Sequence, residues 1–260
     1  VNTHTDMHAI VSREEWLAAR RLLLAREKEL TAQRDLVSAE RRRLPWVPVD
    51  KAYVFDGPNG PESLAGLFDG RSQLIVYHFM FGPGWEEGCP SCSFLADHVD
   101  GTLPHLAARG ITLAVVSRAP QAQLAAFKRR MGWRFKWVSS FGSDFNYDYH
   151  VSFTPEALAG GKVDYNYRME DVGGMEDLHG FSVFTRDGQG NVFHTYSSYA
   201  RGADALVGTY HYMELTPKGR DEDGLAFPMA WVRHHDKYGA PEPTAQAAPA
   251  ACCHAEAGAA

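Results

Sequence analysis

The chain has 260 residues, 45% hydrophobic and 12% aromatic, enough for one large domain or a medium domain with additions. A formal net charge of −6 argues against nucleic acid and against an anionic membrane surface as partners. No apolar stretch approaches the ~18 residues of a membrane span, and the start of the sequence lacks the apolar segment of a signal peptide, so a soluble, cytoplasmic protein is expected.

In chain order, Ser12-Arg13-Glu14-Glu15 is a capping box, and the helix it opens is expected to run to Leu44, where Pro45 ends it. Trp16, Leu23, Leu30 and Val37 recur every seven residues, a narrow apolar seam on a charged helix. Two readings fit: an arm packed on its own domain, or an arm through which two copies form a homodimer. This arm is assigned residues 1–48. Pro45 to Gly70 reads as loop, with a short strand at Tyr53-Val54-Phe55 and a turn at Asp56 to Gly60.

Leu74 to Tyr77, continuing through Phe79, Met80 and Phe81, reads as a buried strand. A loop of Gly82-Pro83-Gly84-Trp85-Glu86-Glu87-Gly88 leads to Cys89-Pro90-Ser91-Cys92, and Phe94, Leu95, His98, Val99, Leu103 and Leu106 then carry helical spacing. Gly110 ends that helix, and Ile111 to Ser117 is a second buried strand, which makes a βαβ unit. A helix fits Pro120 to Met131 and a third strand Phe135 to Phe141. Residues 143–171, crowded with Tyr, Phe, Asn and His, show no clean period and read as an irregular insertion that covers a pocket or fills a core. Phe181 to Thr185 and Val192 to Tyr196 flank Asp187-Gly188-Gln189-Gly190-Asn191, a hairpin signal. Short helices are expected at Ala203 to Met213 and Met229 to Tyr238, and 239–260 is an Ala/Pro-rich tail.

Strand, loop, Cys-x-x-Cys, helix is the context in which the motif points to redox chemistry. Proline is favoured at the first helical position, which makes Cys89 the N-cap. The Cys89 sulfur then lies against unpaired amide donors at the positive end of the helix, which favours thiolate. Cys92, one turn in, is placed to resolve a mixed disulfide at Cys89. Glu86 and Glu87 oppose this if they point inward, because like charge raises a thiol pKa. The four cysteines form two close pairs and no disulfide framework. Cys252-Cys253-His254 lies in the tail, either incidental or a mobile resolving thiol or soft-metal ligand.

The element order suggests an α/β fold, a thioredoxin-like three-layer sandwich with a mixed central sheet, over residues 49–238. Cys-Pro-x-Cys looks like the glutaredoxin variant of that active site. Tyr77 to Pro83, Trp85 to Cys92, Asp144 to Tyr149, Val192 to Ser197, Tyr199 to Gly202 and Thr216 to Glu222 resemble a bacterial thioredoxin-like family of unknown function, domain of unknown function eight-nine-nine. That resemblance implies a fold and no settled reaction.

Where thioredoxins carry a cis-proline, the sequence has Leu178-His179-Gly180. Gly180 offers close backbone approach instead, and a small-molecule substrate becomes more attractive than an extended peptide. The expectation is a thiol–disulfide oxidoreductase, or a reductase of a small electrophile, with Cys89 as nucleophile and Cys92 as resolving thiol. Trp85, Pro90, Gly180 and His194 would contact substrate, a cellular thiol would be the reductant, and no cofactor would be required.

The alternative is a copper or zinc site of Cys89, Cys92 and His194, with His150 and His179 the next candidates. His234-His235-Asp236 is a weaker cluster, because adjacent side chains diverge. Peroxiredoxin-like chemistry is a nearer alternative, although Glu86 stands where those enzymes carry a hydroxyl. The alkylhydroperoxidase-D pattern fails, because His98 lies six residues beyond Cys92, about 240° around a helix.

Overall fold

Helix α1 (Arg13–Arg41) begins where the capping box places it: Ser12 Oγ accepts from the Glu15 amide and the Glu15 carboxylate accepts from the Ser12 amide. The computed structural model describes residues 8–239, so the Cys252-Cys253-His254 motif lies outside the described residues. The chain divides between Pro45 and Trp46, three residues before the expected boundary. The reason is β1 (Val47–Pro48), which pairs with a strand of the main sheet and so belongs to the second unit. Within α1, Arg20 pairs with Glu27 and Arg13 lies over the Trp16 ring.

The second unit is built on an eight-stranded mixed sheet. A hairpin of β2 (Val54–Gly57) and β3 (Gly60–Ser63) comes first, with Gly60 at φ +109°, a conformation that glycine adopts readily. The central strand β4 (Gln73–His78) leads through the cysteine loop into α2 (Pro90–Ala96) and α3 (Leu103–Ala108). Then follow β5 (Ile111–Ser117), α4 (Gln121–Arg130) and β6 (Lys136–Ser139). Strands β4, β5 and β6 run parallel. After an insertion carrying α5 (Phe145–Asp148), α6 (Pro155–Ala159), β7 (Val163–Tyr165) and β8 (Arg168–Glu170), the long hairpin β9 (Gly180–Arg186) and β10 (Val192–Tyr199) returns antiparallel to β4. The order across the sheet is β1-β10-β9-β4-β5-β6-β2-β3, and α7 (Gly208–Met213) follows the hairpin.

A parallel β-α-β start, an antiparallel hairpin on the other side of the central strand, and layers on both faces make this a thioredoxin-like fold. Strand alternation sorts the core into those two layers. Tyr77 and Phe79 pack with α2, α4 and α7, whereas Leu74 and Val76 face Phe55, Leu67, Phe68 and Phe145. Among the described residues no helix is long and apolar enough to cross a membrane.

Several elements differ from expectation, among them the helix expected at Ala203 to Met213, which is a 3-10 run at Ala200–Leu206 followed by α7. The helix after Cys89 is not continuous to Leu106: a 3-10 turn at Asp100–Thr102 separates α2 from α3, and Pro104, which lacks an amide donor, sits in the first turn of α3. The aromatic insertion is not structureless; it carries two short helices, a hairpin and a small core of its own around Val151, Phe153, Tyr165 and Leu178. The stretch from Met229 is an irregular strap that opens in turns and carries a 3-10 turn at His235–Lys237 in place of the helix.

Candidate redox site at the start of α2

Cys89 is the N-cap of α2 and Pro90 its first helical residue, as the sequence requires. The Cys92 amide donates to Cys89 Sγ at 3.5 Å, within the reach of a hydrogen bond to sulfur. The Cys89 backbone is fixed at both ends. Its amide donates to the Met80 carbonyl, and its carbonyl accepts from the Ser93 amide and hydroxyl, each at about 2.9–3.0 Å. The sulfur is thus held where an amide donor stabilises an anion on it.

The two acidic residues before the motif do not spoil this environment. Glu86 faces water. Glu87 is partly buried, which alone would raise its pKa, but hydrogen bonds from Lys237 and Arg130 hold it below the usual carboxylate range. Its charge is therefore compensated in place.

Both cysteines are buried, Cys89 at 1% and Cys92 at 2% exposure, while Pro90 between them is exposed. The strap from Glu222 to Tyr238 packs against the residues on either side of the motif. The His234 imidazole Nε2 donates to the Gly88 carbonyl at 2.8 Å, and its ring packs edge-on against Phe127. Val232 is buried in the same core as the cysteines, and Trp231 packs against Phe94 of α2. Outside that contact, His235 pairs with Asp97, Asp236 with Arg130 and Lys237 with Glu87. His234 and Asp236 both face Arg130 while His235 turns to Asp97, and among the described residues the three form no ligand cluster.

A cavity of about 30 Å³ adjoins the motif, lined by Cys92, Leu95, His179, Arg201, Tyr210 and Met229 among others, but not by Cys89. Trp85 does not line it either; its ring packs against the core and its carbonyl accepts from Gln123. The tyrosines of the insertion do not line this cavity. Tyr149 and Tyr165 fill the second core and the insertion core.

Two other expected contact residues lie elsewhere. Gly180 pairs with Tyr199 across the hairpin, and a Cβ there would come within 2.6 Å of the Tyr199 ring, so this glycine admits an aromatic side chain. His194 faces the opposite layer of the sheet from the cysteines. It pairs across the ladder with Phe184 and packs on Tyr149. A bulge at Thr195 turns Ser197 to the same face, and a buried chain runs from His194 to Ser197, Ser182 and His78 at 2.8–3.0 Å per link. The proposed Cys89, Cys92, His194 ligand set is therefore not brought together. Among the described residues no group of three His, Cys, Asp or Glu is placed to hold a metal ion. Of the other histidines proposed as ligands, His150 pairs with Asp164, and only His179 reaches the cavity beside Cys92.

The family model for bacterial proteins of unknown function known as DUF899 matches residues 5–238. The chain belongs to this family. No curated protein matches it. Among solved structures it is similar to Xanthomonas campestris peroxiredoxin Q, at 14% identity over 65% of this chain and 96% of that one, with a TM-score of 0.41. It is also similar to peroxidoxin BcpB from Mycobacterium tuberculosis (17% identity, 65% and 97% covered, TM-score 0.37). A third is a secreted Mycobacterium tuberculosis disulfide oxidoreductase homologous to E. coli DsbE (15% identity, 60% and 92% covered, TM-score 0.35). Likenesses of this size say nothing of what a DUF899 protein does.

Proposed function

We propose that Cys89 and Cys92 form a dithiol–disulfide centre that reduces a small electrophile and is reset by a cellular thiol. The observation that carries this reading is the Cys92 amide donated to Cys89 Sγ at a backbone locked on both sides. In the forward direction the two thiols lose two protons and two electrons to the oxidant and become one disulfide. In the return direction an external thiolate attacks one sulfur of the disulfide, the other leaves as the thiolate, and a second external thiol releases the first.

Burial favours the small-electrophile branch over protein disulfide exchange. A sulfur at 1% exposure beside the 222–238 strap is out of reach of a folded partner's disulfide in this conformation.

The test is peroxide- and disulfide-dependent consumption of dithiothreitol by wild type, Cys89→Ser, Cys92→Ser and the double variant. The reading expects saturable turnover that each single substitution abolishes. Equal turnover in wild type and the double variant, which retains Cys252 and Cys253, would remove the motif from the chemistry.

A further inference from the structure

Resting on the dithiol reading, we infer that the oxidant enters at Cys92, not Cys89, and is a hydroperoxide small enough for the cavity between α2, α7 and Met229. The asymmetry is geometric. The two cysteines stand three residues apart at the start of α2, and of the two it is Cys92 that lines the cavity; Cys89 does not, and the carbonyl of Gly88 just before it is bonded by His234. Cys92 is therefore the atom an incoming molecule meets. Cys89, held in place by its own backbone bonds, is the partner that closes the disulfide.

The size and walls of the cavity define the substrate class. A volume of about 30 Å³ has room for a few molecules the size of water and falls well short of the roughly 150 Å³ cavity that admits benzene. Its polar wall includes Tyr77, Ser91, Asp204, His179 and Tyr210, the last two already held. His179 Nε2 lies 3.2 Å from the Ala200 carbonyl, and the Tyr210 hydroxyl donates to Glu222. Arg201, exposed at the rim, marks the side that faces water. A compact molecule with hydrogen-bonding oxygens fits these walls, and hydrogen peroxide is the smallest two-electron oxidant of that description.

Met229 closes the space in a way that points to a placed plug. Its φ is +68°, the left-handed region that a long side chain seldom occupies, and its amide is held there by Glu222 Oε1 at 3.0 Å. The same carboxylate oxygen accepts from Trp231 Nε1 and from the Tyr210 hydroxyl. One carboxylate thus sets both the plug and a cavity wall.

The steps balance. Cys92–SH and HOOH give Cys92–SOH and water: one S–O bond forms, the O–O bond breaks and sulfur is oxidised by two electrons. Cys89–SH then displaces hydroxide from that sulfur, its proton leaving with it as a second water, and the Cys89–Cys92 disulfide remains. A dithiol reduces it.

Full-length Cys89→Ser and Cys92→Ser proteins treated with substoichiometric hydrogen peroxide in the presence of dimedone distinguish the two sulfurs by peptide mass. The inference expects the sulfenic-acid adduct on Cys92 in Cys89→Ser, at about tenfold or more the yield on Cys89 in Cys92→Ser. Adduct mainly on Cys89, or none on Cys92, overturns it. Wild type treated with diamide reports separately on the dithiol reading. If that yields the Cys89–Cys92 disulfide while Cys92 takes no dimedone, only the entry assignment fails; if no disulfide forms, the dithiol reading fails with it. As a second readout, Met229→Ala should lower the preference for hydrogen peroxide over cumene hydroperoxide by about tenfold by widening the cavity. An unchanged ratio contradicts Met229 as the plug.

Discussion

His234 Nε2 lies 2.8 Å from the carbonyl oxygen of Gly88, joining residues 146 apart in sequence at the residue just before Cys89. The bond is buried, and it fastens the strap beside Cys89. His234→Ala removes the donor and leaves that carbonyl unsatisfied, a loss of about 1–3 kcal/mol. We expect the variant to unfold at lower urea concentration and Cys89 to react with iodoacetamide severalfold faster. Equal alkylation rates would show that the strap does not control access.

The acid limb of stability should be set on the opposite face of the sheet. His78 is fully buried, and burial pushes its pKa from 6.5 down to about 4, with the Asn146 hydrogen bond opposing and nearby His194 adding to the shift. The native state therefore holds it neutral while the unfolded chain binds a proton. Its stabilising effect is complete above pH 6.5 and is lost as pH falls from 6.5 toward 4, by about 3 kcal/mol. Urea unfolding at pH 7 and pH 4.5 should show a smaller decrease for His78→Gln than for wild type. Burial lowers His194 and His234 as well, so the variant retains part of the slope.

Arg118 and Asp177 form a two-pronged ion pair at 2.7 and 2.9 Å, with Ser152 donating to the same carboxylate at 2.6 Å. The pair joins the end of β5 to the insertion and is largely buried. Removing Asp177 leaves Arg118 the Tyr147 hydroxyl and the exposed Glu176, so Asp177→Ala should cost about 3 kcal/mol, the low end for a broken buried pair. Arg118→Ala with Asp177→Ala should cost clearly less than the sum of the two single changes. Additive losses in a double-mutant cycle would mean that the pair is not coupled.

Gly180 supplies space for an aromatic ring. Gly180→Ala places a methyl 2.6 Å from the Tyr199 ring, whose hydroxyl is tied to the Tyr149 carbonyl. The expected loss is about 1–3 kcal/mol from overpacking. The Michaelis constant for a small oxidant should not change, and a rise in it would return Gly180 to the substrate site.

The sequence made Cys89 legible as an N-cap because proline at the next position and the apolar strand before it are local signals. For the same reason the βαβ unit and the long hairpin were readable. Position across the sheet was not. His194 looked like a ligand because it sits on the returning hairpin, but the face it presents depends on the pairing with Phe184 and on the bulge at Thr195. The strap was hidden too, since its hold on the motif consists of long-range bonds from His234, Asp236 and Lys237 that leave no periodic trace. The adjacency of His234, His235 and Asp236 was visible; that His235 would turn to Asp97 while the other two face Arg130 was not.

The account rests on the two sulfurs of the motif exchanging electrons as a pair, and a redox titration reads this most directly. Full-length protein would be equilibrated in glutathione buffers of graded ratio, quenched in acid, and the Cys89–Cys92 disulfide quantified by peptide mass. The account predicts a single reversible two-electron transition, absent in Cys89→Ser and in Cys92→Ser. Two thiols that stay reduced at every ratio, or that only form separate mixed disulfides with glutathione, would contradict it.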